Sequence, residues 1–163
     1  MSKEIYKKIA EFGKTLATQN DIDNALELIA EEAKKLLEVE RCSIFIVDKE
    51  AMMLWTKHSD GIGRIAIGID SGIAGDTYKT QEPQLVNNPY EDDRFLPKID
   101  EKSGFTTRNI LTVPIFDSKR EVIGVIQLLN KSEGEFSQED LDILTFLANY
   151  VSGTIELVLM VES

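Results

Sequence analysis

Cysteine and histidine are nearly absent, with one of each in the chain, Cys42 and His58. A single thiol cannot close an intramolecular disulfide, and the two residues together fall short of the three or four ligands of a zinc site. Basic residues are also scarce: 18 stand against 29 acidic ones, for a formal charge of -11. The lysines and arginines form no stripe along which phosphates could track, so nucleic acid is not an expected partner. The start, MSKEIYKKIAEFGK, lacks the unbroken apolar core of a signal peptide, and no apolar run of membrane-spanning length is expected. The chain is therefore expected to stay in the cytoplasm, away from membranes. No segment is biased enough to read as disordered, and 163 residues leave room for one domain with a substantial core but not for two.

What is present is a helical period that gives way to an extended one. Ile5, Ile9, Phe12 and Leu16 lie on one helical face, and Ile22, Leu26, Ile29, Ala33 and Leu36 repeat the spacing. From Arg41 onward the pattern is β-branched and apolar, and residues 42–47, 52–58 and 64–69 read as strands of an antiparallel meander. Ser71 is placed to cap a short helix that ends near Thr80, ahead of Pro83, and residues 84–86 fit one short strand. The stretch 87–107 carries Pro89 and Pro97 among polar residues and is expected to be a long connection with little regular structure. Residues 109–116 and 122–129 form a hairpin, and Ser137 followed by Asp140 opens a last helix that runs nearly to the end. Helices flanking an antiparallel sheet place the chain in the α+β class. No internal repeat is visible.

Four blocks carry a family resemblance. Gly72-Ile73-Ala74-Gly75, the run from Asn87 to Phe95, the run from Gly104 to Leu111, and the run from Val122 to Lys131 closely resemble the GAF domains that regulate cyclic-nucleotide phosphodiesterases and adenylate cyclases. The resemblance covers roughly residues 20–160 and implies a single GAF domain over 1–163 whose terminal helices continue into a larger signalling protein. It implies a six-stranded antiparallel sheet, GAF/PAS-like, with the terminal helices on one face and a ligand pocket under loops on the other. Asn130-Lys131, Phe136 and Asp140 match a subfamily signature whose final acid is replaced here by Leu141. In the family the Lys and Asp form a salt bridge supporting the lid over the ligand. The same pair also suits a plain tie between the last strand and the last helix.

For the ligand site, chemistry and resemblance meet. The amides that open the short helix, at Gly72, Ile73, Ala74 and Gly75, can cradle an anion, although the same glycines also suit tight helix–sheet packing. Asp60, Asp100, Ser103, Thr107 and Gln127 can meet the edge of a base, and each also fits a solvated loop. By position, the family's nucleotide contacts fall on Ser43, Ser59, Asp60, Ile73, Ala74, Leu96, Asp100, Ser103, Thr107 and Gln127. Ser59 and Leu96 stand where nucleotide-binding relatives often carry aromatics, so a base loses stacking partners here. Cyclic AMP or cyclic GMP is the leading ligand, and no cofactor is implied. Cys42 reads as an inert buried thiol and His58 as an ordinary histidine rather than a haem ligand.

Leu141, Leu144, Ala148, Val151, Ile155 and Val158 form a heptad seam, and the first helix has similar spacing, so a homodimer through the terminal helices is expected. The chain is read as non-catalytic, because single-domain relatives that reduce free methionine sulfoxide use two thiols. The alternative reading is a dimerisation and signal-relay module that binds no ligand.

Overall fold

Two amphipathic helices come first along the chain, each with a capped start. Ser2 Oγ accepts from the Ile5 amide and opens α1, Lys3–Leu16, while the Asp21 carboxylate accepts from the Asp23 amide at 2.9 Å and opens α2, Ile22–Leu37. Glu38, in the left-handed region at φ 54, ends α2 and turns the chain into the sheet. The structure is a computed structural model that describes residues 2–19, 21–59 and 64–162. Beyond α2 the elements are β1 Val39–Asp48, β2 Met53–Ser59, β3 Ala66–Gly68, α3 Gly72–Thr80, β4 Gln84–Val86, α4 Pro97–Ser103, β5 Ile110–Phe116, β6 Val122–Lys131 and α5 Gln138–Glu162.

The six strands pair antiparallel in the order β3-β2-β1-β6-β5-β4. Period-two alternation divides their side chains between two faces. Cys42, Ile44, Leu111, Val113, Ile126 and Leu128 enter the larger core beneath α1, α2 and α5. Phe45, Leu54 and Val125 enter a smaller core on the opposite face, under α3. The expected arrangement, with terminal helices on one face and the candidate pocket on the other, is the observed one.

Three local expectations are corrected. The stretch 87–107 is more regular than its prolines suggested: it holds a 3-10 turn, Pro89–Glu91, and the helix α4. Pro97 sits at the start of α4, where its missing N–H costs nothing, and Gly104 at φ 74 closes the helix. The third strand is shorter than residues 64–69, because the Thr56 side chain takes the Ile65 amide at 2.6 Å and replaces a ladder bond. Finally, α5 is long and apolar enough to cross a membrane by length and composition, with mean hydropathy 1.6 in an 18-residue window within residues 138–161. One face of it belongs to the core: Leu144, Leu147, Val151 and Ile155 are fully buried with the sheet residues.

The seating of α3 depends on Gly75. A β-carbon there would lie 2.6 Å from the Asp70 backbone carbonyl carbon and 3.1 Å from the Ile69 carbonyl oxygen. Backbone cannot move aside as a side chain can, so Gly75→Ala should cost about 1–3 kcal/mol through overpacking, despite roughly 1 kcal/mol of gained helix propensity. Urea unfolding of the two proteins checks this, and an unchanged midpoint would mean that α3 slides freely on the sheet.

Candidate functional site

On the face away from α5, the sheet, α3 and the 89–107 segment enclose a cavity of about 50 Å³. Phe45, Ile110, Gln127 and Leu129 form its floor, the start of α3 gives Ile73 and Ala74 as one wall, and Phe95, Leu96 and Ile99 roof it. Asp100 and Thr107 close the remaining side. Six of the expected site residues thus meet around one space: Ile73, Ala74, Leu96, Asp100, Thr107 and Gln127.

The others are placed differently. Ser43 pairs in register with Gln127 and shares its sheet face, but its hydroxyl is bonded to that of Ser59 at 3.1 Å, and neither serine lines the cavity. Ser103 faces an outer groove, and its Oγ accepts from the Phe105 amide at 3.2 Å. Asp60 lies outside the described residues.

The anion cradle is narrower than the four expected amides. Gly75 donates to the Ser71 carbonyl at 3.0 Å, which leaves the first-turn amides of Gly72, Ile73 and Ala74. The Ser71 side chain makes no capping bond. Gly72 lies at φ 71, and a β-carbon there would meet Leu96 Cδ1 at 3.1 Å, so Leu96 rests on the mouth of the cradle like a plug. Gln127 makes no side-chain hydrogen bond with the described residues, and its amide borders the cavity.

Two latches hold the roof. Asp100 is buried rather than solvated: its carboxylate accepts from the Thr107 hydroxyl at 2.7 Å, the Thr107 amide at 2.8 Å and the Tyr90 hydroxyl at 2.6 Å. That hydrogen bond to a carboxylate pushes the Tyr90 phenol up to about 12, although the ring is more than half exposed. The second latch is Arg94, which grips Asp92 with both arms of its guanidinium at 2.9 and 2.6 Å and reaches Asp76 on α3 at 2.7 Å and Gln84 on β4 at 2.8 Å. Hydrogen bonds from Arg94 hold the Asp92 carboxyl below the usual carboxylate range, and Asp92 in turn raises the Arg94 guanidinium. None of these latch residues except Asp100 and Thr107 was expected from the sequence. The available signal was the Asp-x-Arg spacing of Asp92 and Arg94, which suits a bidentate turn.

A family model for the GAF domain matches residues 21–155 of this chain. The chain belongs to the GAF family. Among curated proteins it is 34% identical over 132 residues to a probable 3′,5′-cyclic phosphodiesterase of Caenorhabditis elegans, a match that covers 72% of this chain. The chain spans 18% of that relative's length. Among solved structures it resembles the GAF domain of an Acinetobacter phosphoenolpyruvate-protein phosphotransferase, with TM-score 0.83, 20% identity and 99% of both chains covered. It also resembles a free methionine-R-sulfoxide reductase of Neisseria meningitidis, with TM-score 0.81, 16% identity, and 99% and 95% of the two chains covered. At these identities the structural likenesses establish the fold.

Within this GAF domain both ends of the roof segment are fastened to one turn, residues 130–136. Asn87 exchanges two hydrogen bonds with the Phe136 backbone, at 3.0 and 3.2 Å. Asn109 accepts from the Lys131 amide at 2.8 Å and donates to the Gly134 carbonyl at 3.2 Å. Asn130, fully buried and at φ 64, accepts from the Arg108 amide at 2.6 Å and donates to the Thr106 carbonyl at 2.9 Å.

The Lys131–Asp140 salt bridge is present at 3.0 Å with both side chains largely buried. Lys131 also donates to the Leu37 carbonyl at the end of α2, and Asp140 completes a reciprocal cap with Ser137 at the start of α5. The pair joins β6, α2 and α5, while the asparagines beside it grip the roof.

The Tyr90–Asp100 bond should appear in a titration. A phenol whose pKa is raised by folding contributes its stabilisation fully below its unfolded value of about 10 and loses it as pH rises through about 12. Of the four tyrosines, one should ionise near 12 by ultraviolet absorbance, and Tyr90→Phe should remove that component. A wild-type curve without a component near 12 would show the latch open in solution.

Proposed function

We propose that this GAF domain senses a small molecule that carries an anionic group and a polar edge, with cyclic AMP or cyclic GMP the leading candidate, and relays its binding to the terminal helices. The supporting observation is the convergence on one cavity of three first-turn amides of α3, the Thr107 hydroxyl and the Gln127 amide. The amides suit a phosphate, and the threonine and glutamine suit the edge of a base. The phosphodiesterase relative adds a reason to place cyclic nucleotides first.

The cavity as folded is far smaller than the ~300 Å³ at which small-molecule sites begin. Binding therefore requires Leu96 and Ile99 to withdraw. Because the roof ends on the turn that starts α5, that movement bears on α5, and it shifts the helix only if ligand affinity differs between the two arrangements. Lys131 and Asp140 would keep this turn in place on α2, which is how the pair would support the lid. Leu157, Met160 and Val161 are exposed near the end of α5 and would serve a homodimer through the terminal helices. In this reading the domain covers the whole chain, acts in the cytoplasm as the regulatory part of a longer signalling protein, and performs no chemistry itself.

The closed cavity also favours a second reading, a dimerisation and relay module with Leu96 as a permanent plug. Titration calorimetry separates the two. Cyclic AMP or cyclic GMP should bind the wild type, Gln127→Leu should weaken binding by about 1–2 kcal/mol, and Asp60→Ala by roughly 1–3 kcal/mol if its carboxylate meets the base. Equal affinity in Asp60→Ala removes that residue from the site. No heat with either nucleotide, together with a dimer in sedimentation, supports the second reading.

A further inference from the structure

Outside the closed cavity, a groove of about 880 Å³ runs between the approach to β3 and α4. Ile67, Leu96 and Ile99 border both spaces and form the partition between them. Three cations line the groove, Arg64 from the β3 side and Lys98 and Lys102 from α4, and no carboxylate does so among the described lining residues. None of the three is ion-paired with a described residue, whereas other cations of this acidic chain, such as Arg94, Arg108 and Lys131, are paired.

The arrangement runs against the helix's own preferences. Lys98 and Lys102 are four residues apart on one face of a seven-residue helix, where like charges repel. Lys98 also sits in the first turn, where the helix dipole disfavours a cation, while Lys102 in the last turn is favoured by it, so the conflict falls on Lys98 and on the repulsion between the two. A local conflict of this kind is expected where an outside partner supplies the missing charge.

We infer that this groove is a second anion site, beside the cavity across the Leu96–Ile99 partition, and that it takes a multiply charged anion of the diphosphate class. This site does not rest on the reading of the cavity given above, since its three cations are exposed with the roof in place. The groove's positive potential also steers an anion to a chain that otherwise repels it.

Inorganic pyrophosphate is the probe, because it can occupy the groove without entering the cavity. In titration calorimetry at low salt it should bind the whole chain at least tenfold more tightly than orthophosphate, and the affinity should fall as salt is raised. The double variant Lys98→Gln with Lys102→Gln relieves repulsion in α4 and should fold normally, yet it should lose at least tenfold in pyrophosphate affinity. Lys119→Gln, on the β5–β6 turn, should not. No pyrophosphate binding, or binding unchanged in the double variant, overturns the inference. So does lysine-dependent binding to phosphatidylserine vesicles that pyrophosphate fails to displace, which would assign the groove to a membrane surface. Pyrophosphate binding without any response to cyclic nucleotides would leave the groove standing and remove the cyclic nucleotide from the cavity.

Discussion

The candidate site depends on the way three amide side chains, Asn87, Asn109 and Asn130, satisfy the backbone around the turn at 130–136. A buried amide or backbone group left without a partner costs about 1–3 kcal/mol, so each of these bonds is conditional on the others being in place. Asn130 also holds a left-handed backbone that asparagine tolerates better than most residues. The result is a junction where the end of β6, the start of α5 and both ends of the roof are one unit. Lys131 extends that unit to α2 by reaching the Leu37 carbonyl.

This junction separates what can move from what cannot. Arg94 ties the early part of the roof to α3 and β4, and Thr106 to Asn109 are tied to Asn130 and Lys131. Between these anchors lies α4 with Leu96 before it and Gly104 after it. Lifting α4 breaks the three hydrogen bonds to Asp100 and uncovers apolar surface at Leu96 and Ile99, but it need not disturb either anchor. A ligand has to replace those interactions with its own, which gives it differential affinity for the open arrangement.

Electrostatics divides the site in the same way. On its inner side, Asp100 is saturated by the chain's own donors, and its hydrogen bond to Tyr90 belongs to the closed state. On the outer side, Arg64, Lys98 and Lys102 face open space. In a negatively charged chain these three cations, none of them ion-paired with a described residue, put positive charge in the groove beside the cavity.

Much of the fold was legible in the order of residues. Helical spacing from Ile5 to Leu36, the β-branched run at Cys42 and the Ser137–Asp140 cap each depend on local rules of period and capping, and the four motif blocks placed the chain in its family. Of the candidate site, Ile73, Ala74, Leu96, Asp100, Thr107 and Gln127 line one cavity, while Ser43 and Ser59 bond each other and Ser103 accepts from the Phe105 amide. The helix at Pro97 was missed because proline at a first helical turn and proline in a loop look alike along the chain. Arg94 on Asp76, Asn87 on Phe136 and Tyr90 on Asp100 join residues 18, 49 and 10 positions apart. Local rules decide which elements form, but pairings across such distances depend on where the packed sheet places those elements, so only the tertiary structure could show how narrow the cavity is and what holds its roof.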